Sequence, residues 1–501
     1  MNRKRWLTPG PVIGFIAVFL GLLVPMGYWL DWANPAIFDI RNQGWPSPWA
    51  EALTAITFAS MAGAVLLWIF IGRAIDMLAL YFLLNGLIIC GYFVLNLSAP
   101  VIYGAEKTIL TAGEQAVAIN AIGFLLMLGV MACWYVAFAR SGRVLRPLRA
   151  PPSVLDSRLR WFLLPGVGII VCMIVLPMIL TRTIPMLSHD PMAGRAILEK
   201  SNIGRPLYNL GSSLLPALNG SLLVLAMRRR GLIAKVLSPE FMLAGIAGLA
   251  QFLTSNRLPL AVTLLVFVAL TSMERKFPRI VLVVGVAGFM TFFLGLSGFS
   301  SIIRQNREAL SSDNLLVECF KEAFLGDNLA DLRDAAWVFG EWDFKPLDGK
   351  TYLGGLASFL PSAIFPQKKE WYLGLVAIRI VHWPPEKHFG LRITFFAESF
   401  LNFGLAGVVG LAVCLGGIFA YLLRMLHLAA AESPPCLARN LSILMRMQLA
   451  LTLGSSSEGF VFWSICVLLT ALWLVVERPI RWMPGAFRAR PLPLTGGPGF
   501  H

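Results

Sequence analysis

WFLLPGVGIIVCMIVLPMIL, residues 161–180, decides how the rest of the chain is read. These twenty positions carry no charge, and Arg158, Arg160 and Arg182 stand on either side of them. A helix of that length covers about 30 Å, the hydrocarbon thickness of a bilayer. Working outward, comparable runs occur at 11–30, 52–72, 76–97, 116–138, 207–227, 239–255, 258–273, 280–299, 400–423, 438–455 and 459–476. The composition agrees: 57% of the 501 residues are hydrophobic and 14% are charged, where soluble domains carry roughly 25% charged residues. Mean hydropathy is +0.72. The expectation is an all-α polytopic membrane protein with about twelve transmembrane helices.

Net charge is +15, which in a soluble chain points to nucleic acid. Here the basic residues follow the topology instead. With the N-terminus in the cytoplasm, the inside segments hold 23 Lys and Arg against six acids, and the outside segments hold 18 against 21. That bias is what the positive-inside rule expects, with Arg140 to Arg160 and Arg228 to Arg230 as its strongest blocks. The charge is therefore an orientation signal and a contact for anionic membrane lipids, and no nucleic-acid partner is expected. Both termini are expected in the cytoplasm. The first apolar run follows Arg3, Lys4 and Arg5 as in a signal peptide, but it is long enough to span and reads as a retained helix.

The apolar pattern breaks once. The division expected is nine helices over 1–299, a large outer loop over 300–394, and three further helices with a basic tail over 395–501. In a bacterium the loop would face the periplasm from the inner membrane. Loops on a rigid scaffold are where sites tend to sit. The seven cysteines are scattered without CxxC spacing, so neither a metal site nor a disulfide framework is indicated.

Several outer residues have chemistry to offer. Thr181 to Arg205 contains Arg182, His189, Asp190, Arg195, Glu199, Lys200 and Arg205. Guanidinium forks match phosphate oxygens, so this is either a phosphate clamp or a solvated loop that orients its helices. Arg257 follows the polar notch Thr254-Ser255-Asn256 between two short apolar runs. It either faces a cavity between broken spans or snorkels to the headgroups. The long loop opens with Arg304, Gln305, Asn306 and Arg307 and continues in an amphipathic stretch from Leu315 to Phe339. Asp327, Asp331 and Asp334 read as the solvated face of that stretch. Trp337, Trp342, Trp371, Tyr372 and Trp383 are either sugar-stacking surfaces or interfacial anchors. His382 and His388 flank Trp383-Pro384-Pro385-Glu386-Lys387. They suit proton transfer if they are more than surface residues, and with Glu386 they lack a third neighbour for a metal.

From Gly349 to Gly410 a larger pattern emerges. Gly349-Lys350-Thr351-Tyr352 precedes the proline-bounded stretch Leu360-Pro361-Ser362-Ala363-Ile364-Phe365-Pro366-Gln367-Lys368-Lys369. Phe396-Ala397-Glu398-Ser399-Phe400-Leu401-Asn402-Phe403-Gly404-Leu405-Ala406-Gly407 then opens the next apolar run. This resembles the oligosaccharide repeat-unit (O-antigen, Wzy-type) polymerases of bacterial surface polysaccharide assembly. The place of the loop, after about nine spans, and Arg257 after its notch also resemble that family. Ser362 stands where members often carry an arginine, so a phosphate contact there is either lost or passed to Lys368 or Lys369.

The resemblance implies a GT-C-like membrane glycosyltransferase acting on undecaprenyl-pyrophosphate-linked oligosaccharides at the periplasmic face. A chain-length regulator and a flippase of the same pathway are its expected partners. Arg257, Arg195, Arg182, Arg304 and Arg307 become candidates for holding the leaving pyrophosphate. His382, His388 or Glu398 would deprotonate the attacking hydroxyl, and Trp342, Trp383 and Tyr352 would bind sugar. Cationic groups can take the place of a divalent ion, so neither metal nor cofactor is expected. Glu398 also suits a helix N-terminus, and Gly404 and Gly407 suit close packing. An O-antigen ligase, a transporter or flippase of lipid-linked sugars, and a non-catalytic docking protein are the competing readings.

Overall fold

The computed structural model describes residues 150–187, 204–254, 258–274, 331–360, 364–383, 393–430, 432–456 and 459–478, together with isolated positions, most of them between 116 and 138. Every regular element among the described residues is helical. They fall into two compact units.

The second unit, within 143–275, 424–449 and 463–501, contains α1 (Pro152–Thr181), α2 (Gly204–Met227), α3 (Leu232–Val236), α4 (Pro239–Leu253) and α5 (Leu258–Glu274). On α1, Leu155, Leu159, Leu163, Val167, Ile170, Ile174 and Met178 are buried. Spaced by three and four, they form one stripe along the helix. Its opposite side leaves Trp161, Ile169, Ile179 and Leu180 more than half exposed, which suits lipid as solvent. Small residues let the helices close up. A Cβ on Gly211 would lie 2.7 Å from Ile174, and one on Gly220 would lie 2.8 Å from Val266. After Thr181, Arg182 turns in the left-handed region at φ 51°; its N–H bonds back to Ile179 O and that of Thr183 to Met178 O.

One end of this unit is a charged ring. Arg228 donates to both carboxylate oxygens of Glu274, at 3.0 and 2.5 Å, and to Asp156 at 2.8 Å. Asp156 also accepts from the N–H groups of Leu437 and Ala438, at 3.3 and 3.0 Å. Arg160 and Arg229 both pair with Glu240. Burial opposes charge on Arg228, but the bonds to Glu274 and Asp156 outweigh it and hold its pKa above the ordinary value. Beside Asp156, burial and then that carboxylate push the Cys436 thiol up to about 12. The start of α1, the end of α2, the start of α4 and the end of α5 are thus gathered at one level. These are segments that the charge distribution assigns to a single side of the membrane.

The first unit, within 1–142, 276–423 and 450–462, contains α6 (Asp331–Glu341), α7 (Lys350–Leu356) and α8 (Leu373–Ile380). It also includes most of α9 (Phe395–Ala430), whose final residues belong to the second unit. Thr394 caps α9: its hydroxyl accepts from Ala397 N–H at 3.3 Å and donates to Asn120 at 2.5 Å. Phe124 packs edge-on against Phe395 and Phe396. The chain then continues through α10 (Leu437–Thr452) and α11 (Gly459–Leu472).

Among the described residues, four helical stretches are long and apolar enough to cross a membrane: Pro152–Thr181, Leu207–Met227, Phe395–Leu426 and Gly459–Glu477. The helices found over the spans expected at 239–255, 258–273 and 438–455 are shorter, with 15, 17 and 16 residues. The spans expected at 11–30, 52–72, 76–97 and 280–299 lie outside the described residues. Of the amphipathic stretch from Leu315, the helix α6 is seen. Asp334 in it is 5% exposed, so it belongs to the interior and not to a solvated face.

Candidate functional site

The first unit brings the two sequence motifs together. The backbone of α9 breaks at Gly404, with φ 62° and ψ −154°, a conformation open to glycine and to almost no other residue. A continuing helix would use the carbonyls of Leu401 and Asn402 for its next turn. Instead Leu401 O accepts from Leu347 N–H at 2.9 Å and Asn402 O accepts from Asp348 N–H at 3.1 Å. The loop is thereby stitched to the membrane helix just before α7. Asp348 and Gly349 make the turn with φ of 50° and 78°. A Cβ on Gly349 would lie 2.9 Å from the Phe403 ring, so the close approach needs glycine.

This registration carries Thr351 to Glu398. The Thr351 hydroxyl donates to Glu398 Oε1 at 2.6 Å, and Ser456 N–H donates to Oε2 at 2.9 Å. Asn402 Nδ2 donates to Thr351 Oγ1 at 2.7 Å and to the Glu398 carbonyl at 2.9 Å. Because a carbonyl can only accept, the second bond fixes which side of the Asn402 amide carries the hydrogens. The order of donation then runs from Asn402 through Thr351 into the carboxylate, with Ser456 closing it from the other side. Glu398 is fully buried, as are Thr351 and Asn402. The segments meet tightly: a Cβ on Gly355 would lie 2.3 Å from Ser456 O, and one on Gly459 would lie 1.9 Å from Gly355 O.

Beside this clamp runs a groove of about 570 Å³, lined by Tyr352, Leu353, Phe403, Gly407, Leu411 and Cys414 among others, with Asp348 and Ser399 as polar neighbours. The rings of Tyr352 and Phe403 are stacked, 6.1 Å apart and 10° from parallel. Burial, and then the Glu398 carboxylate, raise the pKa of the Tyr352 hydroxyl, so it stays neutral.

The other expected site residues are placed as follows. Trp342 is buried; its indole N–H donates to Lys345 O at 3.1 Å, and its ring packs against Phe339, Phe344 and Phe400. It builds the core of the unit and presents no open face for a sugar. Trp383 is partly exposed and stands edge-on to Trp337, with centroids 4.8 Å apart. His382 is exposed at the end of α8, in the left-handed region at φ 55°. Arg182 is exposed in the second unit. Lys368 is buried and its ammonium is bonded to the carbonyls of Ser358 and Leu360, so it stabilises the proline-bounded turn. Arg195, Arg257, Arg304, Arg307 and His388 lie outside the described residues.

Ser456 was not singled out by the sequence. Its signal is the small-residue run Gly454-Ser455-Ser456-Ser457 between two apolar stretches, a turn that permits close backbone approach. Compared with protein-family models, with curated proteins and with solved structures, the chain matches none.

Proposed function

We propose that this chain is an integral-membrane glycosyltransferase that polymerises undecaprenyl-pyrophosphate-linked oligosaccharide repeats at the outer face of a bacterial inner membrane. One observation carries the reading. Gly-Lys-Thr-Tyr and the Glu-containing run that opens α9, the two motifs on which the family resemblance rests, meet through Thr351, Glu398 and Asn402 beside an open groove. A loop that only linked two spans would have no need of a buried carboxylate locking it to a membrane helix.

In the proposed reaction a hydroxyl of the incoming repeat attacks the anomeric carbon of the growing chain. The new C–O bond forms as the bond to the carrier pyrophosphate breaks, and that electron pair leaves with the phosphate. The hydroxyl proton passes to a base. Glu398 is sealed in and both its oxygens are engaged, so its part is that of a positioning residue, holding Tyr352 and the Asp348 turn at the groove. His382, exposed on the same unit, is the candidate base, and Arg257, Arg195, Arg182, Arg304 and Arg307 remain the candidates for the leaving pyrophosphate. The apolar lining of Leu353, Phe403, Leu411 and Cys414 suits the lipid carrier.

The test is a deletion strain whose surface polysaccharide is separated on a gel. Single repeats on the acceptor are the expected result. Loss of every capped form would indicate a ligase, and lipid-linked repeats trapped in the cytoplasm would indicate a flippase; either would overturn the proposal.

A further inference from the structure

At the charged end of the second unit, α2 is followed by three arginines, a glycine turn and the five-residue α3. Gly231 takes φ 85°, with open space where a Cβ would lie, and the chain swings outward. Leu232, Ile233 and Leu237 are 77%, 75% and 69% exposed, and no residue of α3 is buried. Three large apolar side chains in so short a segment are a poor surface for water.

The charges around them are unbalanced. Asp156, Glu274 and Glu240 are already engaged by Arg228, Arg160 and Arg229. Among the described residues, no carboxylate pairs with Arg230 or Lys235, which lie on either side of Leu232 and Ile233. The patch therefore combines protruding hydrocarbon with uncommitted cations. It sits level with the start of α1 and the end of α2, two helices of spanning length, which is where the headgroups of a leaflet would lie. An apolar edge entering the acyl boundary beneath basic residues is how interfacial elements bind anionic lipid.

We infer that the segment from Arg230 to Leu237 is a docking site for anionic phospholipid, with Leu232, Ile233 and Leu237 in the acyl boundary and Arg230 and Lys235 on the phosphates. The full chain would be placed in nanodiscs of phosphatidylcholine with a minor fraction of phosphatidylglycerol. Retained lipid would then be counted by native mass spectrometry after release into detergent. Wild type is expected to enrich phosphatidylglycerol, at about fivefold per cation, and Arg230→Gln with Lys235→Gln to lose about 30-fold of that preference. An unchanged lipid ratio in the double variant would overturn the assignment. A photo-crosslinking amino acid in place of Ile233 gives an independent reading: adducts on phospholipid acyl chains support the site, whereas adducts on a second copy of the chain or on another protein refute it.

Discussion

The Thr351 hydroxyl and Glu398 Oε1 are 2.6 Å apart, although 47 residues of chain separate them. Thr351 belongs to the loop segment ahead of α9 and Glu398 to the first turn of that helix, which is long enough to cross a bilayer. Their bond makes the loop an extension of that helix, and the groove beside it inherits the rigidity of both.

Thr351→Val keeps the shape and removes the hydroxyl, leaving Glu398 and Asn402 each short of a partner. Unsatisfied buried polar groups cost about 1–3 kcal/mol each, so the variant should unfold at a lower temperature in detergent and make short chains. Glu398→Gln should do the same. The double variant should lose less than the two singles together, by more than about 0.5 kcal/mol. Strict additivity would show that the two residues are not coupled.

Gly459→Ala should abolish the fold of the loop unit, because the new methyl has nowhere to go but into Gly355 O. Overpacking typically costs about 1–3 kcal/mol when side chains can yield, and here the obstacle is backbone. Gly168→Ala in α1, where nothing lies within 4 Å, is the matched control and should be neutral or slightly stabilising. Limited proteolysis of the two variants in membranes separates these outcomes.

Gly404→Ala addresses the break in α9. Forcing a residue with a side chain into φ 62°, ψ −154° costs about 1–3 kcal/mol. Relief by straightening would release Leu347 and Asp348 from their carbonyl partners. Protein level in the membrane should hold while polymer length falls. Normal chain lengths would detach the kink from activity.

Arg228→Met should destabilise the second unit by about 3 kcal/mol, since it strands the Asp156 and Glu274 carboxylates together. Arg228→Lys should recover part of this, because one ammonium cannot reproduce a fork that reaches both acids. Melting temperatures of the purified variants check the order wild type, Lys, Met.

Arg257→Ala and His382→Ala are each expected to leave protein in the membrane and single repeats on the acceptor. Wild-type ladders after His382→Ala would return that histidine to the surface. Activity in membranes washed with EDTA should persist, and a metal requirement would overturn the use of arginines at the pyrophosphate.

How much of this was legible depended on the kind of force involved. The run 161–180 foretold α1 because lipid leaves a backbone no option but an unbroken helix. The start of α9 near Phe395 was legible in the run from Phe396 and in an acid suited to a helix N-terminus, but its Thr394 cap was hidden, since Asn120 completes it from far along the chain. Motif spelling pointed to Thr351 and Glu398 without revealing that they bond. The resemblance offered Glu398 as one of three possible bases and its place in the run suited a helix N-terminus; neither reading foretold that both its oxygens would be bonded, to Thr351 and to Ser456. Trp342 and Asp334 were misread for one reason: composition marks a loop as polar but not which of its residues form the loop's own interior.

The pair α4 and α5 has a last consequence. Both begin or end at the charged ring, through Glu240 and Glu274, and with 15 and 17 residues they reach about 22–25 Å from it. Ordinary hydrocarbon is about 30 Å deep, so helices of that length fall short of it, and a bilayer around them would have to thin at the end where α4 closes on Thr254. Thinning of that kind would make the stability of the second unit depend on acyl length in the surrounding membrane.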